Sequence, residues 1–386
     1  MRKRIGIDLH VVDGMFQGSR THVLELFKEV IALCPDLEFF LFLQEVDRLR
    51  RYAPEYSASH VSLVYMPLRG SVRRLGWQLP ALQVRYRLDL LHMQYVLPLP
   101  SFSPCMVTIH DVLFETHPEY FKRRFRWRSK LTARVAAAQA VHLFSVSEYS
   151  KRAITQCYGV APDKVSVIAN AADTRRFYPG LEGAEIVLRR GLRSNGYILS
   201  VGRLEPRKNH IALIKAHARL GPDAPPLVIV GQHDFGFQGA ARAIADSRHA
   251  DRIHVLQDVG DNELPAFYRH AKVFVYPAFA EGFGMPPLEA LASGTPVISS
   301  AAAAIPEVIG QAGILIDPHD EQDLETALNR VLVDDALALS LRRLGVERAM
   351  QFTWRQAAEV VRKRYLEYFA SGDGVSLADS MGRIVP

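Results

Sequence analysis

The sequence predicts an α/β protein built from two doubly wound parallel sheets. Three observations lead there. Thirteen short β-branched or aromatic runs alternate with helical segments, the alternation restarts near residue 196, and a glycine-bearing stretch without a clear period separates the two series. With 386 residues, 48% of them hydrophobic, the chain is long enough for two cores.

The first series places strands near Arg4–Leu9, Phe39–Leu43, Val61–Tyr65, Asp89–Met93, Met106–His110, Val141–Ser145 and Lys164–Ile168. Each is a short apolar run of strand length, and helices fit between most of them. The second series reads G-Y-I-L-S-V-G-R at 196–203, P-L-V-I-V-G at 226–231, R-I-H-V-L at 252–256, K-V-F-V-Y-P at 272–277, P-V-I-S-S at 296–300 and G-I-L-I-D-P at 313–318. Between them Y-P-G-L-E-G-A-E, 178–185, reads as the linker. The expected domains are therefore 1–178, 186–352 and a closing segment 353–386. That segment opens on Thr353 as a helix cap, with Gln356 completing a capping box, and continues as a long amphipathic helix.

Composition narrows the function. The longest apolar runs, such as F-F-L-F-L at 39–43, fall far short of the roughly 20 residues needed to span a bilayer. The N-terminus M-R-K-R-I-G-I-D-L-H enters a strand pattern at once, which is unlike a signal peptide, so a cytoplasmic chain is expected. Cys34, Cys105 and Cys157 are odd in number and lack C-x-x-C spacing, which suits reduced core thiols. The net charge of +6 is uneven: residues 1–180 carry 25 Lys/Arg against 16 Asp/Glu, the remainder 22 against 25. The basic first half is the candidate for an acidic or membrane partner.

Two motifs carry the chemistry. V-G-R-L-E-P-R-K-N-H, 201–210, leaves the first strand of the second series. Gly202 allows a sharp exit, Arg203 offers a planar fork for phosphate oxygens, and Lys208 adds a second cation near a helix start. E-G-F-G-M-P-P-L-E-A, 281–290, follows the strand K-V-F-V-Y-P at the carboxyl end of the same sheet. Its two glutamates suggest an acid/base pair at first sight. The context favours another role, because prolines 286 and 287 start a helix, Glu281 falls on the loop before it and Glu289 in its first turn. Free amides of Gly282, Phe283 and Gly284 then suit an anion, while the carboxylates accept hydrogen bonds from hydroxyls. A ligand carrying a diphosphate, a ribose and a sugar satisfies all of these together.

The pair of motifs, with P-A-F-A-E-G-F-G-M-P-P-L-E-A-L-A-S-G-T-P-V-I some seventy residues after the first, resembles the retaining glycosyltransferases of family 4. The resemblance implies the GT-B fold: two Rossmann-like domains facing each other across a cleft, with the C-terminal helix returning to the N-terminal domain. It implies that Arg203 and Lys208 hold the diphosphate of a nucleotide-sugar donor, that Glu281 contacts the donor sugar, that Glu289 binds ribose hydroxyls, and that Gly282, Phe283 and Gly284 meet sugar or phosphate. The stretch from Leu256 to Val259 resembles the loop lining the nucleobase. In the first domain D-G-M-F-Q-G-S-R-T-H-V resembles the family's glycine loop, with Gly14, Gly18 and Ser19 before a helix near Thr21. His110 and Asp111, ending the strand M-V-T-I-H-D, resemble the segment near the donor sugar, and His110, Asp111 and Glu281 are the catalytic candidates.

The implied reaction is metal-independent hexosyl transfer with retained configuration to a glycan or lipid-linked saccharide in cell-surface polysaccharide assembly. The run H-D-V-L-F-E-T-H-P-E-Y-F, similar to bacterial mannosyltransferases, favours GDP-mannose over UDP-sugars. Neither a D-x-D pair after a strand nor a His/Cys cluster with ligand spacing occurs, so no metal or other cofactor is expected. An oxidoreductase is disfavoured by the lack of G-x-G-x-x-G after an early strand. A phosphorylase, an epimerase and a non-catalytic sugar-nucleotide binder remain as rivals. F-K-R-R-F-R-W-R-S-K, 121–130, interleaves six cations with three aromatics. The run from Lys122 to Lys130 suits either a solvated helix face or an anionic membrane surface at the inner face of the cell membrane, and no nucleic-acid module accompanies it.

Overall fold

The computed structural model describes residues 2–13, 18–67, 70–234 and 236–371. Gly14 of the glycine loop and the tail beyond 371 lie outside the described residues. The chain divides into two compact units, the first running to Asn170 and resuming at Trp354, the second spanning Ala171–Thr353.

In the first unit β1 (Arg4–Asp8), β2 (Glu38–Leu43), β3 (Val61–Tyr65), β4 (Leu90–Gln94), β5 (Cys105–Thr108), β6 (His142–Ser145) and β7 (Val165–Val167) form one sheet in the order β3-β2-β1-β4-β5-β6-β7. Every pairing is parallel, with Ile5 opposite both Phe39 and Leu90. These strands are largely apolar because helices cover both faces of a parallel sheet, and Ile5, Ile7, Phe39 and Leu91 are fully buried. The closing helix Trp354–Ala370 packs on the helix Gly18–Leu33 of this unit. Its Tyr365 hydroxyl lies 2.7 Å from His92 Nδ1 in the core, and Arg364 Nε donates to Ser166 Oγ at 2.8 Å.

The second unit holds β8 (Ile198–Val201), β9 (Leu227–Val230), β10 (Ile253–Leu256), β11 (Val273–Tyr276), β12 (Val297–Ser300) and β13 (Ile314–Ile316), again all parallel, in the order β10-β9-β8-β11-β12-β13. In each sheet the winding reverses between two neighbouring strands, β1 and β4 in one and β8 and β11 in the other. Ligands of such sheets bind beyond the carboxyl ends at that reversal.

The boundary falls at Asn170–Ala171, upstream of the stretch 178–185 expected from glycine content. The cause is Arg269, whose guanidinium donates to the carbonyls of Tyr178, Arg176 and Glu182 and fastens this segment to the second unit. Phe177 adds an edge-to-face contact with Tyr268, at 5.7 Å between ring centres.

Candidate active site

Beside the reversal of the second sheet, the loops that follow β8 and β9 meet closely. Gly202 N donates to Val230 O at 2.9 Å and Leu204 N to Gln232 O at 3.0 Å, which prolongs the β8–β9 pairing past the strand ends. A Cβ on Gly231 would stand 1.9 Å from the Gly202 carbonyl oxygen, so only glycine fits there. This frame presents Arg203, whose Nη1 donates to Asp234 Oδ2 at 2.8 Å. One short 3-10 turn later, Pro206–Lys208 delivers Arg207 and Lys208.

Both cations converge on Glu281, in the loop after β11. Lys208 Nζ donates to Glu281 Oε1 and, at 2.5 Å, to the Tyr276 hydroxyl, which itself donates to Glu281 Oε1 at 2.8 Å. Arg207 Nη1 lies 2.8 Å from the same oxygen and bonds the Ala280 carbonyl, while its Nη2 donates to Glu205. Burial pushes the Glu281 carboxyl up, but Arg207 and Lys208 outweigh it and hold the group at about 2. Burial draws Lys208 below the ordinary lysine value, with Glu281 opposing. Glu281 is therefore an ionised acceptor at neutral pH and carries no proton to donate.

Gly284 adopts φ +116° and caps the helix Met285–Ala292, where a side chain would meet Ile305. Pro286 and Pro287 sit in its first turn, where no N–H is required. Because the helix begins at Met285, Glu289 is its fifth residue and belongs to the second turn, one turn later than the prolines suggested. Glu289 is half-buried and accepts from the Tyr268 hydroxyl at 2.8 Å; its withdrawal from water raises its carboxyl to about 7, against the hydrogen bond and the charge of Arg176. Phe283 is buried, edge-on to Phe352 at 5.9 Å, with Gly282 beside it in the same loop. Val259 lies half-buried on the loop after β10, next to Asp258, which Arg190 grips with one nitrogen on both oxygens.

The first unit assembles a second group of polar side chains beyond β1, β4 and β5. His110 follows β5 and is buried; its Nε2 lies 2.9 Å from Gln94 Oε1, so that nitrogen carries the proton and Nδ1 is left as an acceptor. Burial, seconded by His22, holds the imidazole well below the usual histidine range and hence neutral. Tyr95, a non-glycine residue at φ +60°, stacks on the His110 ring. Asp111 accepts from Leu113 N at 3.0 Å and thereby starts the short helix Leu113–Thr116. Gly18 and Ser19 open the helix Gly18–Leu33, Gly18 exposed and Ser19 half-buried. Beside β1, Asp8 is fully buried between Arg74 and His10.

Sequence reasoning missed Arg207, Tyr276, Tyr268, Asp234, Gln94, Tyr95 and His22. Arg207 adjoins Lys208 in the quoted motif, but spacing does not say which cation turns inward. Tyr276 closes the quoted strand K-V-F-V-Y-P and His22 lies in the quoted glycine-loop run, but neither pattern says what they touch; Tyr268, Asp234, Gln94 and Tyr95 lie outside the quoted motifs, and only the fold brings them in. Among the described residues no group of three or more His, Cys, Asp or Glu side chains is placed to hold a metal ion.

Two parallel-sheet units, each with polar groups gathered where its winding reverses, define the GT-B class. Sucrose-phosphate synthase from Thermosynechococcus elongatus shares this fold with a TM-score of 0.75 and 21% identity, covering 96% of this chain and 100% of that one. HepE of Anabaena, solved in complex with UDP-glucose, matches at a TM-score of 0.74 and 18% identity, covering 94% and 99%. Residues 16–176 match the model of Glycosyltransferase Family 4 and residues 191–348 that of Glycosyl transferases group 1. The chain belongs to this glycosyltransferase family. O-antigen chain mannosyltransferase B of Escherichia coli is 31% identical over 255 residues, 64% of this chain and 66% of that protein. The chain thus spans just under two thirds of that relative's length.

Proposed function

We propose that this protein is a retaining, metal-independent hexosyltransferase that moves mannose from GDP-mannose to a glycan or lipid-linked saccharide in cell-surface polysaccharide assembly. The observation that carries the reading is the cluster of Lys208, Arg207 and Tyr276 on Glu281, beside Arg203, at the reversal of the second sheet. Cleavage of the bond between the anomeric carbon and the diphosphate leaves charge on the departing phosphate. Arg203 and Lys208 neutralise it, Lys208 from a largely buried position and Arg203 from a more exposed one, and such preorganised charge lowers a barrier. Glu281, fixed and ionised, accepts hydrogen bonds from the sugar; Glu289 takes the ribose hydroxyls; His110 offers its bare Nδ1 to a sugar hydroxyl. As the bond from the anomeric carbon to the diphosphate breaks, the new glycosidic bond forms to an acceptor hydroxyl oxygen, and the proton of that hydroxyl passes to the departing diphosphate.

The mannosyl assignment draws on the Escherichia coli relative and on the run 110–121. A UDP-sugar donor is the second reading, favoured by the fold shared with HepE in its UDP-glucose complex. The basic helix after Lys122 would hold the protein at the cytoplasmic face of the cell membrane. The test is a thermal-shift series with GDP and UDP followed by transfer from GDP-mannose and UDP-glucose to a mannose-terminated oligosaccharide, with and without EDTA. GDP is expected to raise the melting temperature more than UDP, and transfer is expected to survive EDTA. Binding without transfer from either donor would leave a non-catalytic sugar-nucleotide binder.

A further inference from the structure

The chain passes between its two units twice, leaving the first after Asn170 and re-entering it at Trp354. Both of these residues touch the same side chain. His22, in the first turns of the helix Gly18–Leu33 and 1% exposed, places Nδ1 2.6 Å from Asn170 Oδ1. Its ring meets the Trp354 indole edge-to-face, with centres 5.7 Å apart and planes at 75°. The same imidazole stands 4.5 Å from the His110 ring, again edge-to-face at 71°.

His22 lies in the quoted run D-G-M-F-Q-G-S-R-T-H-V, which gives it no role of its own, and no substrate contact is needed to account for it. The bond to Asn170 fixes the proton on Nδ1, and Nε2 has no hydrogen-bond partner among the described residues although it is buried. An unpaired buried nitrogen is unfavourable, so filling space alone does not account for a histidine at this position. Burial keeps the ring neutral, at about 4. It is held from two sides, by groups that lie far apart in the chain but both at a crossing.

We propose that His22 is a positioning residue that ties the ring of His110 to the two chain crossings, so that a change in either crossing segment reaches His110 through one buried imidazole. The proposal rests on the reading of His110 as a sugar contact, but its structural half stands apart from activity. Gln94 and Tyr95 hold His110 from the β4 side; His22 holds it from the side of the crossings.

The test uses the full chain with histidine rings labelled, the His110 imidazole cross-peak being assigned by its loss in His110→Ala. Asn170→Ala should move that peak in the parent protein and leave it unmoved when added to His22→Phe. His22→Phe and Asn170→Ala should each lower kcat by about tenfold, a small ring displacement being able to cost that much. The Kd for GDP should change less than twofold, and the double variant should be no slower than the slower single. Should His22→Phe not fold, His22→Gln keeps a donor for Asn170 yet removes the ring, and the same loss of coupling is expected. An undiminished effect of Asn170→Ala on the His110 peak without the His22 ring overturns the proposal, as does an unchanged kcat in both His22→Phe and Asn170→Ala. If His110→Ala transfers at the parent rate, the sugar-contact reading of His110 falls instead, and the cross-peak result still decides on His22.

Discussion

At Glu281 a single carboxylate oxygen serves Lys208, Arg207 and Tyr276, and its replacement reads out both stability and catalysis. Glu281→Ala leaves the largely buried Lys208 without its carboxylate, while Arg207 keeps Glu205, which is expected to cost about 3–5 kcal/mol in urea unfolding; Glu281→Gln, still an acceptor, should cost less while losing most transfer. Glu289 makes the opposite prediction with pH. Its proton is bound more tightly in the folded protein, so stability is full below the ordinary glutamate value and is lost as pH rises toward about 7. Between roughly pH 4.5 and 7 wild-type unfolding free energy should fall, relative to Glu289→Gln, by up to about 1.4 kcal/mol per pH unit. A parallel pH profile for the two proteins would contradict the raised carboxyl. Glu281 and Glu289 were both legible in E-G-F-G-M-P-P-L-E-A, but their opposite ionisation was not. That difference comes from Arg207 and Lys208 on one side and the apolar wall around Tyr268 on the other, none of which the spacing of two glutamates reports.

Among the elements, the helix Arg123–Gln139 has an outer face that the core does not explain. Ala133, Ala136 and Ala137 are buried, whereas Arg124, Trp127, Arg128 and Leu131 recur at helical spacing on the exposed side, Trp127 being 71% exposed. Lys130 is partly withdrawn from that face by its ion pair with Glu115. Each exposed cation near an anionic surface contributes about 1 kcal/mol, so neutralising Arg123, Arg124 and Arg128 together should weaken binding to phosphatidylserine-containing vesicles by roughly a hundredfold. Trp127→Ala should weaken binding to the same vesicles further, and co-sedimentation that is equal for neutral and anionic vesicles would remove the membrane reading. The Gly231 loop makes a separate prediction: Gly231→Ala must push the Gly202 carbonyl aside and should cost about 1–3 kcal/mol, with weaker nucleotide binding in a thermal shift. The glycine exit after β8 was visible as V-G-R. Its dependence on Gly231 was not, because a close approach of two loops leaves no local period.

Over the whole chain, all thirteen strands fall where the apolar runs placed them, since a parallel sheet covered on both faces demands continuous apolar segments. The boundary between the units was legible only approximately. A loop that Arg269 fastens by three carbonyls has the composition of a linker without being one. In the second unit the function rests on one assignment, Arg203 and Lys208 to the donor's diphosphate and Glu281 to its sugar. It is tested most directly by acceptor-dependent release of GDP from GDP-mannose by the purified chain, measured beside Lys208→Ala with the Kd for GDP determined on both. The account predicts turnover by the parent protein, loss of at least about a hundredfold in kcat/KM in Lys208→Ala, and weaker GDP binding by that variant. Parent-like turnover and GDP affinity in Lys208→Ala would contradict it.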